Sequence, residues 1–384
     1  MRVNVRHFNL FLWTAALTAF LFLCYIPKLA GLIVPFLILF ILSGYKNIRI
    51  YRFRGWGTLY GVYLCFLFCS LCKAVAAGTA AGEIIRFLLI LMLIPIAGII
   101  FDKDFEQKWK IFQFLVMLKA VSVLILWVLV FIRQDAQAYR QWAFSLHAGD
   151  IYIIDRIAVF GRTFGIPRVQ LRGNTLFVMA FGLDLFRKRR LTLFNLISLL
   201  AGIAAGNQAF ILGYACFAAC AGWRYLADAV RKRKKTVFAL WIIFIIGALS
   251  VFIPYACRVW DAKAAYSNIF RINQLWAFAS ADPLFGEGLG RDVLIGGVRS
   301  ARYFELQTFY IYYQIGFAGL ALFYVLTFAP YIIKRNSYQI AAYAAYLLYT
   351  FWNPYCFDST HIFALLLIGN VSDSLGCTGK EIQG

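Results

Sequence analysis

Residues 271–320 carry the side chains best suited to chemistry. The run opens Arg271-Ile-Asn-Gln-Leu-Trp276 and continues Asp282-Pro283-Leu-Phe-Gly286-Glu-Gly288-Leu-Gly290-Arg291. It closes with Glu305-Leu-Gln307 running into Tyr312-Tyr313-Gln314-Ile-Gly316-Phe-Ala-Gly319-Leu320. An arginine fork suits bidentate recognition of phosphate. A carboxylate within reach of a hydroxyl can take its proton. Glycines at 286, 288 and 290 let the backbone turn sharply and so place Glu287 and Arg291. The combination reads as a site for an anionic ligand at a membrane–water boundary. Plainer roles compete for the same residues: Asp282-Pro283 caps and turns the chain, and Glu305 is an acid complementing a helix N-terminus.

The elements that must position these residues are apolar helices. The chain has 384 residues, 62% of them hydrophobic and 14% charged, with mean hydropathy +0.74. A soluble domain is nearer half apolar and about a quarter charged. Runs long enough to cross a hydrocarbon core about 30 Å thick recur, and lipid offers no partners to unpaired backbone, so the spans must be helices. The expected fold is all-α, a single polytopic integral membrane domain over 1–384. Twelve spans are expected near 8–26, 29–44, 56–77, 84–101, 111–132, 173–186, 191–206, 208–223, 236–254, 307–332, 338–352 and 360–375. The sixth, seventh and eleventh are short. Residues 8–26 are followed by Pro27-Lys28 and no small-residue cleavage site, and read as a retained helix.

Charge orients the spans. With both termini cytoplasmic, the clusters Arg187-Lys188-Arg189-Arg190 and Arg231-Lys232-Arg233-Lys234-Lys235 fall on one side, as the positive-inside rule requires. The net charge of +21 is then mostly topology, and nucleic acid is not an expected partner. Two long loops on the other side, 133–172 and 255–306, break the pattern. Each holds six cations, all arginine except Lys263. Long loops obey the rule poorly, and these cations can pair with nearby acids. Arginine in such number also suits an anionic ligand.

The remaining reactive residues say less. Cys65, Cys69 and Cys72 share a helical face and read as small packing residues between helices; Cys257 and Cys356 both fall outside. Of the histidines, His147 lies in the first loop and His361 opens the last span as a polar end group. Lys73 and Asp184 lie near helix ends, while Lys119 is deeper in its span. Gly286-Glu-Gly288-Leu-Gly290 follows no strand, so it is not a dinucleotide fingerprint. Neither a metal motif nor a phosphate-cradling loop is seen.

The order Arg271, Trp276, Asp282-Pro283-Leu-Phe-Gly286, Gly288, Gly290, Glu305, Gln314-Ile-Gly316 and Gly319-Leu320 resembles the second periplasmic loop and following helix of the O-antigen polymerase (Wzy) and O-antigen ligase (WaaL) superfamily. Arg162-Thr-Phe-Gly165-Ile-Pro167 with Gly173-Asn174 is similar to that superfamily's approach to its middle helices. One departure is Gly206-Asn207-Gln208-Ala209, where many relatives open a helix with Ser-Arg.

The resemblance implies a metal-independent, cofactor-free glycosyltransferase of the bacterial inner membrane, acting at the periplasmic face. Its substrate would be an undecaprenyl-diphosphate-linked glycan. Its surroundings would be membrane lipid, a chain-length regulator and a flippase. Charge grows on the leaving diphosphate, where fixed cations stabilise it. Arg271 and Glu305 are the catalytic candidates, Glu305 as base. Arg162, Arg168, Arg172 and Arg291 are the diphosphate-binding candidates, and Trp276 the sugar-stacking one. Ligases of this kind carry a histidine in the second loop. Residues 255–306 contain none, which favours a polymerase of repeat units over transfer to lipid A core. A transporter or flippase for an anionic lipid-linked substrate is the other alternative, but matching halves are not seen.

Overall fold

The structure, a computed structural model, describes residues 5–23, 33–43, 48–50, 54–102, 105–133, 167–171, 173–231, 269–295, 298–300, 304–334, 336–351 and 357–370, with scattered positions in 137–164 and 236–257. Helices dominate. They are α1 (Val5–Thr18, continued by a π-helical turn Ala19–Leu23), α2 (Ile33–Ser43), α3 (Trp56–Ala76), α4 (Ala81–Gly98), α5 (Phe105–Arg133) and α6 (Thr175–Lys188). There follow α7 (Leu193–Ala204), α8 (Gln208–Arg231), α9 (Ile269–Ala279), α10 (Gln307–Ile333), α11 (Ser337–Thr350) and α12 (Ser359–Gly369). The expected span 236–254 lies largely outside the described residues.

Four of these helices, α3, α4, α5 and α10, are long and apolar enough to cross a membrane. Others are shorter than the expected spans. The 14-residue α6 rises about 21 Å, against a core of about 30 Å. In α5 the helix starts at Phe105, ahead of the expected 111, because amphipathic Phe105–Lys110 continues the same turn. Short strands also occur, in antiparallel pairs at the margins of the bundle. β1 (Ile48–Ile50) pairs with β2 (Ile100–Asp102). In the first long loop β3 (Tyr152–Ile154) pairs with β6 (Arg168–Gln170), enclosing β4 (Ile157–Val159) and β5 (Arg162–Phe164). In the second, β7 (Val293–Ile295) pairs with β8 (Val298–Ser300).

Side-chain contacts sort the helix ends into two groups. At one end, Ser70 Oγ donates to Gln314 O at 2.6 Å, Phe357 N donates to Gln307 Oε1 at 2.6 Å, and Arg168 Nε donates to Ala205 O at 3.1 Å. At the other, Asn9 Nδ2 donates to Phe40 O at 2.7 Å, Asp102 N to Asn370 Oδ1 at 2.6 Å, and Gln339 Nε2 to Gly369 O at 2.8 Å. Glu106 pairs there with Arg187. Glu305 and the turn 282–290 belong to the first group, the loop end. The Arg187–Arg190 cluster belongs to the second, the basic end. Among the described residues, the turn 282–290 and the Arg187–Arg190 cluster thus lie at opposite ends of the helices.

Past its opening Ser359-Thr360-His361, α12 is apolar all round, and every one of its residues is buried, as such a helix must be. It packs against α4, α6 and α11. The helix starts are held by caps worth about 1 kcal/mol each. Thr192 and Asn195 form a reciprocal capping box at α7, and Asp358 Oδ1 accepts Thr360 N at 2.8 Å at α12. Large apolar side chains on α3 and α5, among them Phe68, Phe114 and Ile132, face outward.

Candidate functional site at the loop end

α10 is broken at Gly316, whose φ of 71° and ψ of 178° no other residue adopts readily. The break is filled by the turn 282–290. Glu287 N donates to Tyr313 O at 2.6 Å and Gly288 N to Gln314 O at 3.3 Å, while Phe317 N donates back to Pro283 O at 2.7 Å. The approach is so close that a Cβ on Gly286 would overlap the Gln314 backbone, and one on Gly316 the Leu284 carbonyl. The glycines therefore do more than turn the chain: they let a loop replace the hydrogen bonds of an interrupted helix.

Asp282 organises this turn. Its Oδ1 accepts Leu284 N at 2.9 Å and Phe285 N at 3.3 Å, the capping role expected of Asp-Pro. Its Oδ2 pairs with Lys73 of α3, whose ammonium also donates to Gly286 O at 2.8 Å. These bonds, the Lys73 one foremost, hold the Asp282 carboxyl below the usual range. Lys73 is thus a clamp between α3 and the loop, a different role from the helix-end cation expected. Glu287 and Arg291 are placed by the loop, and they pair with each other at 2.7 Å, Glu287 Oε1 also accepting Asp282 N at 3.0 Å.

Arg271 and Glu305 come together. α9 carries Arg271 against the segment leading into α10, where its Nε lies 2.5 Å from Glu305 Oε2. Both side chains are mostly covered, at 18% and 16% exposure. One turn along α9, Gln274 is fully buried and its Oε1 accepts Leu306 N at 3.4 Å. Glu305 therefore stands two residues ahead of α10 and answers Arg271 directly. Beneath the pair lies an aromatic layer: Phe304 stacks on Tyr310 at 3.8 Å, and Phe278 and Phe87 close around Tyr310. Arg86 covers the Phe87 ring at 4.7 Å and pairs with Glu83 at 3.2 Å. This α4 pair was not singled out from sequence, because a helix-borne charge pair at i, i+3 looks like ordinary surface.

Three buried polar atoms in this region, Gln274 Nε2, Gln314 Nε2 and the Tyr310 hydroxyl, have no hydrogen-bond partner among the described residues. Buried polar groups are satisfied nearly everywhere in folded proteins. Gln274 and Tyr310 adjoin the Arg271–Glu305 pair through Leu306 and Phe304, and Gln314 lies at the α10 break. Among the described residues no three His, Cys, Asp or Glu side chains gather as metal ligands.

The other candidates are dispersed. Arg168 lies on β6, its Nε on Ala205 O and its Nη2 on Gln170 Oε1, so its fork turns inward to the protein. Arg162 lies on β5, described in backbone only, and Arg172 lies outside the described residues. Trp276 is 73% exposed on the side of α9 away from Gln274. It does not share the covered space of Arg271 and Glu305. His147 and Cys356 are outside the described residues.

Several readings need correction. Cys65, Cys69 and Cys72 are all exposed and so do not pack between helices. His361 is fully buried and no end group: its Nε2 lies 3.0 Å from the Tyr343 hydroxyl, with the Tyr346 ring beside it. Asp184, near a helix end, is buried there and accepts from Gln113 at 2.9 Å and Thr192 at 2.7 Å. Lys119, the deeper lysine, is buried with its ammonium 5.6 Å from the Phe22 ring.

Comparison with protein-family models, with curated proteins and with solved structures found no match to this chain.

Proposed function

We propose that this chain is a membrane glycosyltransferase that polymerises undecaprenyl-diphosphate-linked repeat units into O-antigen or a related polysaccharide. In this reading it spans the bacterial inner membrane twelve times, with both termini in the cytoplasm and the loop end in the periplasm. The observation that carries the proposal is the Arg271–Glu305 pair, beside the buried Gln274 amide and Tyr310 phenol, which have no hydrogen-bond partner among the described residues. A guanidinium and a carboxylate are the two groups that this chemistry asks for.

The proposed reaction runs as a displacement. The donor diphosphate competes with Glu305 for the Arg271 fork and opens the pair. Glu305, so released, accepts the proton of the acceptor hydroxyl as that oxygen bonds to the anomeric carbon. The bond from that carbon to the diphosphate oxygen breaks, and the negative charge gathering there falls on Arg271. Arg291, half-exposed after the turn 282–290 and paired with Glu287, is the candidate for a second cation. Arg168 has a different task in this reading. It docks at Ala205, just before Gly206-Asn207, where many members of the superfamily that the chain resembles have Ser-Arg, and so brings a guanidinium to that position from the first loop.

The broken α10 is the feature that a transporter would share, since transporters bind substrate at unwound helices. Here the freed carbonyls of Tyr313 and Gln314 are already taken by Glu287, Gly288 and Ser70. The break is used to seat a loop, which supports the transferase reading.

The deciding experiment is to delete the chain and separate surface glycan by length. A single repeat unit on lipid A core, with the ladder gone, is the expected result. Naked core with polymer left on the lipid carrier would assign ligase activity instead, and an unchanged ladder would remove the proposal.

A further inference from the structure

α9 is amphipathic in an inverted sense. Ile269, Ile272, Leu275, Trp276 and Ala279 fall within one stripe of the helix at 3.6 residues per turn. The first four are exposed, at 39% to 73%. The opposite face is the covered one, and it holds Gln274 and Phe278, with Arg271 at its edge. A helix resting on a protein in water shows polar groups outward and apolar groups inward. Here the outward stripe is wholly apolar, while Arg271 and Gln274 turn toward Glu305 and Leu306.

The depth of α9 is set by those contacts. Arg271 and Gln274 meet residues 305 and 306, immediately before α10, a helix long and apolar enough to span a membrane. α9 therefore lies where α10 leaves the hydrocarbon. Further exposed apolar side chains, Leu284 at 51% and Phe317 at 66%, lie at the seam between the turn and the break in α10. Tryptophan is favoured at that depth, and Trp276 is the most exposed member of the stripe.

We infer that α9 is an interfacial helix whose Ile269–Ile272–Leu275–Trp276 stripe is seated among the lipid chains of the adjacent leaflet. Burial of such a face in the headgroup–acyl boundary is what holds a helix flat on a membrane. The Arg271–Glu305 pair then lies at headgroup depth on the inner side of a lipid-embedded helix. A ligand carried on a lipid reaches it by moving within the leaflet. The seating of α9 in lipid rests on its placement and is independent of the transferase reading; the lateral route to the pair rests on that reading. It also reassigns Trp276 from sugar stacking to the membrane boundary.

The test uses the full chain in native membranes, with the photoreactive residue p-benzoylphenylalanine placed at 272 or at 276, and at 280 as the control. Positions 272 and 276 are exposed, so the bulky replacement leaves the packing of Gln274 and Phe278 intact. Ser280 is exposed just past the helix end. Mass spectrometry of the irradiated protein should find phospholipid adducts at 272 and 276, several-fold above those at 280. Adducts to a second copy or another protein at 272 and 276 would overturn the inference, as would no adducts above the control. As an independent check, phospholipids brominated on the acyl chains should quench the fluorescence lost in Trp276→Phe. A Trp276 component untouched by bromine would also overturn the assignment.

Discussion

The Arg271 guanidinium and the Glu305 carboxylate meet at 2.5 Å across the joint between α9 and α10. The pair pins α9 to the segment before α10; in the proposed reaction it also supplies the reacting groups, and the two roles are separable. Breaking a mostly covered ion pair costs about 1–3 kcal/mol, between the surface and buried limits. Arg271→Ala should abolish polymer and lower the thermal midpoint of the purified protein. Arg271→Lys should recover much of the stability and little of the polymer, because lysine lacks the bidentate fork. The double variant Arg271→Glu/Glu305→Arg separates the roles most sharply. It restores a pair of opposite charges, so the thermal midpoint should return while the glycan ladder stays absent. A ladder restored by the swap would leave the pair with a structural role only.

Glu305→Gln keeps the size of the side chain and removes the base. Polymerisation in membranes supplied with lipid-linked repeat units should fall by about 10²–10⁴-fold, the range for a lost general base. Donor binding should persist, since Arg271 is then freed from its partner. Transfer at the normal rate would exclude Glu305 as the proton acceptor.

The parts of this architecture legible in the sequence are those written in periodicity. Apolar runs marked where most of the described helices lie, because that signal is local. Arg271 and Glu305 stood out as types in a loop, yet only the fold brings them together. What could not be read is long-range. Nothing near Lys73 announces that Asp282 will close on it, and nothing near His361 announces the Tyr343 hydroxyl. Gly316 read as part of a motif in an apolar helix; that it breaks the helix depends on a loop arriving from residues 282–290. The cysteines of α3 misled for a related reason. A stripe of small residues marks a packed face in lipid, but which face packs depends on neighbours chosen elsewhere in the chain.

The glycines of the seam should differ in tolerance in a set order. At Gly316 and Gly286 an added Cβ overlaps backbone atoms that no rotamer change can move, and the positive φ adds strain. Gly316→Ala and Gly286→Ala should each cost about 2–6 kcal/mol, overpacking and backbone strain together. Gly61→Ala, on α3 with open space around it, should be neutral or slightly stabilising through helix propensity. Thermal midpoints of the three purified variants give the comparison. Equal midpoints would mean that the loop does not thread the α10 break.

The Lys73–Asp282 clamp makes acid sensitivity specific to one carboxylate. Asp282 is held below its ordinary value by Lys73 and by the amides of Leu284 and Phe285. A depressed carboxyl stabilises the fold above its unfolded pKa of about 3.9. That stabilisation is lost as pH falls through the lower, folded value. The clamp should therefore be fully in force at neutral pH and through mild acid, and should weaken only below about pH 4. Asp282→Asn should lower the thermal midpoint at pH 7 and flatten its dependence below pH 4, because asparagine cannot titrate. Lys73→Met should lower the midpoint at pH 7 as well. It should also move the acid transition upward, since the remaining amide bonds hold the carboxyl down less strongly. An acid limb unchanged in both variants would assign the transition to other carboxylates and leave the clamp without influence on pH stability.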